Sequence, residues 1–173
     1  MMMMMKEGGM IWLVIAALAV AVLVFAGCDR QRIEALEEGV ATEADVRKQF
    51  GVPAATYREA NGSTTLEYTR QPEGRQNYMI TIGTDGRMAS LRQVLKAANF
   101  ARVVGGLDKP QVRRLLGQPA AKQQFALKQE EVWDWRYVES NENRIFSVTF
   151  DAAGRVASTA STLDLQGVVP GGR

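Results

Sequence analysis

Residues 39–53, GVATEADVRKQFGVP, and residues 106–119, GLDKPQVRRLLGQP, carry the same helix signals in the same order. Thr42 and Asp108 each stand three residues before a side chain that can hydrogen-bond back to them, which is the pattern of a helix N-cap. Each segment closes with a glycine and, two residues later, a proline, which is a helix stop signal. Both stretches therefore predict a short, capped helix of about eight residues.

The two segments belong to a longer internal repeat. Val46 aligns with Val112, and Gly51 with Gly117, at one constant spacing. Further along, apolar positions recur at a slightly longer spacing: Leu66, Tyr68, Tyr78, Ile80 and Ile82 match Trp135, Tyr137, Phe146, Val148 and Phe150. Small insertions that fall in loops are typical of duplicated units, so the sequence predicts a tandem duplication.

Strands are predicted after each capped helix. In the second copy Trp133, Trp135 and Tyr137 alternate with other residues, and this period of two indicates a half-buried strand. The stripe could form a binding hot spot, but packing against the helices is the favoured interpretation. Asp85-Gly86 predicts a hairpin turn between two alternating runs.

The predicted fold is therefore α+β, with two tandem repeats that each pack two short helices on a three- to four-stranded antiparallel sheet. The additional helix of each copy is expected over residues 30–38 and 95–104. Residues 55–58 and 122–125 are the expected fourth strands.

The only cysteine of the chain, Cys28, follows an uncharged stretch of residues 10–27. This stretch is longer than a typical secretory hydrophobic region and slightly shorter than the roughly 20 residues of a membrane span. The small pair Ala26-Gly27 before the cysteine resembles the cleavage site of a bacterial lipoprotein signal peptide. We therefore expect Cys28 to carry a diacylglycerol and an N-acyl chain, and no other cofactor; an uncleaved signal anchor is the alternative.

This interpretation sets the expected division of the chain. The parts are a signal peptide 1–27, a short lipid tether 28–32, a first repeat 33–95, a second repeat 96–165 and a disordered tail 166–173. Asp29 is a candidate sorting residue, because aspartate directly after the lipidated cysteine tends to retain lipoproteins of enteric bacteria in the inner membrane.

The composition argues against several classes of function. The 21 Lys and Arg nearly balance the 19 Asp and Glu, so no basic excess indicates nucleic-acid binding. The chain has no histidine, the commonest general base and metal ligand, and no Gly-rich phosphate loop. Glu130-Glu131 and Asp134 could resemble an acid–base pair, but neighbouring residues of a strand face opposite sides. We expect no enzyme, no metal site and no small-molecule substrate.

Two basic pairs occupy equivalent places in the two capped helices. Arg47 and Lys48 in the first, and Arg113 and Arg114 in the second, are candidate contacts with a protein partner or with acidic lipid. Solvated helix surface is the alternative for both pairs.

One family shares these motifs. Residues 116–119 (Leu-Gly-Gln-Pro), 133–137 and 146–156 resemble the BamE/SmpA (OmlA) family of small outer-membrane lipoproteins. The resemblance implies a unit of two helices against a three-stranded antiparallel sheet, attached to the barrel assembly machinery of Gram-negative bacteria. Two such units in tandem are similar to the architecture of the beta-lactamase inhibitor protein, whose two sheets form a concave protein-binding face.

The resemblance implies a lipid-anchored, non-catalytic accessory or scaffold in outer-membrane protein assembly or envelope integrity. Its expected partners are membrane lipid, through Cys28, and a protein, with the barrel assembly machinery as the candidate. The alternative is a periplasmic protein-binding or inhibitor-like module with a different partner, retained at the inner membrane. Both place the chain on a membrane facing the periplasm, and the family favours the outer membrane.

Overall fold

The computed structural model describes residues 36–165. The chain divides after Glu37, and every helix and strand named below belongs to the unit of residues 38–173. In chain order the elements are α1 (Glu43–Phe50), β1 (Ala55–Arg58), β2 (Thr64–Thr69), β3 (Asn77–Ile82), β4 (Met88–Gln93), α2 (Ala97–Phe100), α3 (Lys109–Leu116), β5 (Ala121–Phe125), β6 (Glu130–Glu139), β7 (Glu142–Phe150) and β8 (Val156–Leu163).

The strands form two four-stranded antiparallel sheets. The first, sheet 1, has the order β1-β2-β3-β4, and the second, sheet 2, has the order β5-β6-β7-β8. Consecutive strands are neighbours throughout, so each sheet is a meander. The α+β prediction is confirmed, and both copies have the fourth strand.

The two equivalent helices begin at the predicted caps. The Thr42 hydroxyl accepts a hydrogen bond from the amide of Asp45, whose carboxylate accepts one from the amide of Thr42 at 2.9 Å. Asp108 and Gln111 make the same reciprocal pair, with both distances 2.9 Å. Each box satisfies two amides that the first helical turn leaves without partners.

The additional helices are shorter than predicted. Residues 95–104 contain only the single turn α2, because the β-branched pair Val103-Val104 and the following Gly105-Gly106 are poor helix formers. In the first copy residues 36–38 are not helical, and residues 30–35 lie outside the described part.

Aromatic contacts tie α1 to sheet 1. The ring of Phe50 lies 5.1 Å from that of Tyr68 and 5.4 Å from that of Tyr78, between centroids. The side chains buried in this repeat also include Val46, Leu66, Ile80, Ile82 and Met88.

Sheet 2 packs its aromatic stripe into one hydrophobic cluster. The ring of Trp133 lies 5.0 Å from that of Phe150, and Phe100 of α2 stacks on Phe146 at 4.2 Å. The cluster comprises Leu95, Phe100, Val103, Val112, Leu116, Trp133, Trp135, Tyr137, Phe146, Val148, Phe150 and Val156. The predicted placement of the stripe in the core is confirmed, and its two tryptophans and Tyr137 are buried.

The glycines that end α1 and α3 allow a matched stability test. Gly51 and Gly117 have positive φ angles of 83° and 76°. A Cβ at Gly51 would meet nothing within 4 Å, whereas one at Gly117 would lie 2.9 Å from Nδ2 of Asn77. We expect Gly51→Ala to lower the free energy of unfolding by roughly 1–3 kcal/mol, because its backbone (φ 83°, ψ −147°) lies in a region that is adopted essentially only by glycine. Gly117→Ala should cost roughly 1–3 kcal/mol more, because Asn77 must also move.

The measurement is chemical denaturation of the full chain in detergent, with tryptophan fluorescence as the probe of unfolding. Equal losses for the two variants would contradict the close approach of Asn77 to Gly117.

Candidate functional site

The structure describes only some of the predicted site residues, and it places these in different surroundings. Cys28 and Asp29 lie outside the described residues. Arg47 and Lys48 are exposed on α1, where the Arg47 guanidinium pairs at 2.8 Å with Glu43 of the same helix. Both side chains are exposed to solvent, so they stay candidate contacts with a partner or with lipid.

Arg113 and Arg114 instead face the first repeat. Arg113 donates to both carboxylate oxygens of Glu67, at 3.2 and 3.3 Å. Arg114 pairs with Glu59, and its guanidinium lies 4.1 Å from the ring centroid of Tyr57. The two basic pairs are therefore equivalent in sequence but contact different surroundings.

Glu67 is the centre of the contact between the repeats. Its side chain is fully buried, although it stands between Leu66 and Tyr68 on a strand. Besides Arg113, it accepts hydrogen bonds from the Tyr57 hydroxyl at 2.6 Å and from the amide of Gln118 at 2.8 Å. Burial and the hydrogen bond to Glu67 raise the pKa of Tyr57 to about 12. Both oxygens of the buried carboxylate are thus satisfied by donors from the two repeats.

Two buried amides extend this contact. Nδ2 of Asn77 donates to the carbonyls of Leu116 and Gln118, at 2.8 and 2.9 Å, which satisfies carbonyls at the end of α3. The side chain of Gln71 donates to the carbonyl of Arg136 at 2.7 Å and accepts from its amide at 3.2 Å. Strand β5 pairs only with residues 130–134 of β6, so Arg136 has no partner on β5. The side chain of Gln71 bonds the backbone of Arg136 as a further residue of β5 would.

A buried acid completes the contact from the other side. Asp164, just after β8, lies 3.3 Å from the Arg75 guanidinium of the first repeat and 3.6 Å from that of Arg136. The repeats are therefore joined by directional polar contacts that fix one relative orientation, rather than by apolar area alone.

The acidic residues of β6 have structural partners. Glu131 bonds Lys109 and the Trp133 indole, and the hydrogen bond with Lys109 holds its pKa below the usual range. Asp134 accepts from the Ser147 hydroxyl at 2.6 Å on the other face of the sheet. Within residues 36–165 no group of three His, Cys, Asp or Glu side chains could hold a metal ion. None of the helices in this range is long and apolar enough to cross a bilayer.

Strand β8, at one edge of sheet 2, differs in sequence from the other three edge strands, β1, β4 and β5. Strands β1, β4 and β5 each carry a basic residue, Arg58, Arg92 and Lys122 respectively. Strand β8 has the sequence VASTASTL, with no charge, proline or glycine, and all its residues except Val156 are exposed. Charges and prolines are what usually block an edge, so among residues 36–165 β8 presents a row of backbone groups without such protection.

Strand β4 is the equivalent edge of sheet 1, and one of its outward backbone groups has a side-chain partner. There the Glu38 carboxylate accepts a hydrogen bond from the outward amide of Leu91, at 2.8 Å. The residue after Glu38, Gly39, donates its amide to the carbonyl of Met88, the first residue of β4. In the second repeat the amide of Gly106 donates in the same way to Val156, the first residue of β8. Gly105 therefore takes the position of Glu38 in the second repeat.

The strand register identifies the amide of the second repeat that is equivalent to the Leu91 amide of the first. Thr159 pairs with Val148 as Leu91 pairs with Ile80, so the Thr159 amide also points away from the sheet. Because glycine has no side chain, Gly105 offers this amide no acceptor of the kind that Glu38 supplies.

The open part of β8 can be defined from this register. Gly106 and Leu107 bond the backbone of Val156, at 3.0 and 2.8 Å, and cover only the start of the strand. Alternation makes Thr159, Ser161 and Leu163 the residues whose backbone groups face outward. We call residues 159–163 the open edge.

Comparison with known proteins assigns no family. No protein-family model and no curated protein matches the chain. A structure provisionally assigned as an osmotically inducible lipoprotein, OsmE, is 20% identical over 40% of this chain and 75% of its own, with a TM-score of 0.36. The DUF4309 family protein YjgB from Bacillus subtilis subsp. subtilis str. 168 is 14% identical over 75% of this chain and 82% of its own, with a TM-score of 0.30.

A provisionally assigned beta-lactamase inhibitor protein from Streptococcus mutans is 12% identical over 79% of this chain and 97% of its own, with a TM-score of 0.29. All three TM-scores are low, so these similarities assign neither a family nor a function to the chain.

The contact between the repeats can be tested at its centre. We expect Glu67→Gln to lower the free energy of unfolding by roughly 2–4 kcal/mol, because it removes a buried charge that faces Arg113 and an acceptor for the Gln118 amide or Tyr57. Glu73→Gln, an exposed matched control, should change it by less than about 0.5 kcal/mol.

A double-mutant cycle with Arg113→Met should give a coupling of at least about 1 kcal/mol, measured by chemical denaturation. Additive losses would mean that Glu67 and Arg113 do not act as a pair.

Proposed function

We propose that the chain is a lipid-anchored, non-catalytic module of the bacterial envelope that binds a protein partner through the open edge. The observation that carries the proposal is this uncharged strand edge; in the first repeat, Glu38 bonds one outward amide of the equivalent edge, that of Leu91. A non-catalytic role is supported by the absence of histidine from the sequence and by the structural partners of Glu131 and Asp134.

Backbone pairing is the chemistry that such an edge offers. A partner segment that adds a strand gains main-chain hydrogen bonds along the edge. The open edge spans five residues, or about 17 Å, and presents three amides and three carbonyls. The small side chains of Ser, Thr and Ala on β8 leave a neighbouring backbone free to approach.

The rigid contact between the repeats supports the same function. Binding is weaker when a binding segment must first become ordered, because the ordering costs conformational entropy. Strand β8 pairs with β7 at every residue except Ala157, and Asp164 at its end is fixed by Arg75 and Arg136. The open edge is thus formed before any partner binds.

Membrane attachment rests on the sequence around Cys28. A thioether-linked diacylglycerol and an amide-linked acyl chain bring three chains to one residue, and each buried methylene contributes about 0.8 kcal/mol. This is well beyond the marginal binding of a single chain, so the mature protein would stay on the membrane.

The anchor has a direct test. Wild-type protein, expressed in its own host, should incorporate labelled palmitate and migrate at the size of a chain cleaved before Cys28. Cys28→Ala should lose the label and keep its precursor size, because the thiol is the acceptor. A Cys28→Ala chain that still labels and matures would contradict lipidation at this residue.

The identity of the partner rests on the BamE/SmpA resemblance. That resemblance supports a subunit of the barrel assembly machinery and, with it, the outer membrane. Asp29 supports the second candidate, a module retained at the inner membrane with a different periplasmic partner. The edge chemistry suits both, so the two candidates differ in partner and not in mechanism.

One substitution should cover the first amide of the open edge. A Cβ at Gly105 would come no nearer than 3.7 Å to the carbonyl oxygen of Val156, and Gly105 has no left-handed φ. Gly105→Glu should therefore place a carboxylate on the Thr159 amide, as Glu38 does on Leu91. The matched control is Val104→Glu, which adds the same charge at a neighbouring exposed position.

We expect affinity capture of the lipoprotein, solubilised from its own envelope, to recover the large barrel-assembly subunit. Gly105→Glu should reduce this recovery at least about tenfold, the effect of losing one to two backbone hydrogen bonds, and Val104→Glu should not. Recovery of another envelope protein with the same dependence on Gly105 would favour the second candidate. Recovery that is insensitive to Gly105→Glu would rule out the open edge as the binding site.

A further inference from the structure

A groove of about 400 Å³ lies between the two repeats, on the face of sheet 1 opposite α1. Its floor is formed by sheet 1, with Thr81, Ser90 and Arg92 among the lining side chains. Arg102, which follows α2, and Arg114 of α3 line it from the second repeat. A single repeat would lack one of the two walls, so the groove exists only because the unit is duplicated.

The charge of the groove is strongly positive. Three arginines line it, Arg92, Arg102 and Arg114, and no acidic side chain does. Glu59 neutralises one of the three charges through its pair with Arg114. Within residues 36–165 Arg92 forms no ion pair or side-chain hydrogen bond, and Arg102 makes only a long hydrogen bond to Asn99 at 3.4 Å. The groove therefore has a net charge of about +2 available to a ligand.

The guanidinium of Arg114 is held in one orientation at the side of the groove. Nη1 of Arg114 is buried and has no hydrogen-bond partner in the described part of the chain, while Nη2 of the same guanidinium bonds Glu59. Stacking on the Tyr57 ring fixes the plane of this guanidinium. A buried donor without an acceptor lowers stability, and such groups are rare in folded proteins. Because Nη1 is inaccessible to solvent, Arg114 acts on a ligand in the groove through its positive charge.

Neutral donors stand beside the arginines. Thr81 and Ser90 are direct cross-strand partners of β3 and β4, so their hydroxyls lie next to each other on the floor. Arg92 lies two residues beyond Ser90, on the same face of the same strand. Donors thus line the floor and the side formed by the region of α2, and α3 adds the positive charge of Arg114.

We propose that this groove binds a phosphate monoester. A planar carboxylate is satisfied by one arginine fork, whereas two arginines and two hydroxyls on different walls suit the tetrahedral oxygens of a phosphoryl group. At neutral pH a monoester carries a charge of about −1.5 to −2, which matches the available charge; a diester carries only about −1. The apolar side chains of Met79 and Leu115 line the same groove and provide a surface for the organic part of the ester.

Isothermal titration calorimetry on the full chain in neutral detergent tests the proposal. Glycerol 1-phosphate is the soluble monoester and dihexanoyl phosphatidic acid the lipid monoester. Dimethyl phosphate and dihexanoyl phosphatidylglycerol are the corresponding diesters. At least one monoester should bind about tenfold more tightly than its diester, and which of the two binds identifies the source as soluble or lipid.

Variants locate the binding. Arg92→Gln and Arg102→Gln should each weaken monoester binding about tenfold, since each removes a charged donor. Arg58→Gln removes the same charge from an exposed position of β1 outside the groove, and should leave the affinity unchanged. Because Arg92 and Arg102 are both exposed, circular dichroism should show all three variants folded.

Three results would overturn the proposal. The first is the absence of measurable binding for both monoesters. The second is equal affinity for monoesters and diesters, which would reduce the groove to a general anion surface. The third is an equal loss of affinity in Arg58→Gln, which would assign the binding to net charge rather than to the groove.

Discussion

Glu67 places a fully buried carboxylate between the two repeats, and the arrangement of the second repeat on the first depends on satisfying that charge. Leaving a charge buried without partners is far more costly than any single surface contact can offset. The donors come from both repeats, from Tyr57 on one side and from Arg113 and the Gln118 amide on the other. The orientation that satisfies Glu67 also brings Asn77 to the end of α3 and Gln71 to the backbone of β6.

The same constraint creates the surfaces to which we assign binding. Orienting α3 across sheet 1 leaves a groove beside it, walled by arginines from both repeats. Gln71 and Asp164 hold sheet 2 so that β8 is its outer strand, and residues 36–165 leave the outward backbone groups of Thr159, Ser161 and Leu163 uncovered. A duplicated chain with a loose linker would share the local elements but would have neither a defined groove nor a fixed edge.

Divergence between the copies shows how equivalent positions acquired separate roles. Arg47 faces solvent on α1, while Arg113, at the same place in α3, binds the buried carboxylate of the other repeat. Glu38 covers one sheet edge, and Gly105 leaves the equivalent edge open. Sequence comparison of the copies identifies such differences, but only contacts in space show which of them matter. Both basic pairs stay candidate contacts with a partner or lipid, but in the structure only Arg113 and Arg114 also contact the first repeat.

The sequence by itself determined the local structure: the capping boxes, the helix-ending glycines, the hairpin turns and the buried aromatic stripe all depend on near neighbours in the chain or on a simple period. It therefore predicted the class of fold and the duplication. Only the tertiary structure decided that Glu67, Gln71 and Asn77 are buried. Glu67 alternates with Leu66 and Tyr68, and a period of two assigns it to solvent. Its actual environment is supplied by the second repeat, which is distant in the chain, and no local pattern records where that repeat packs.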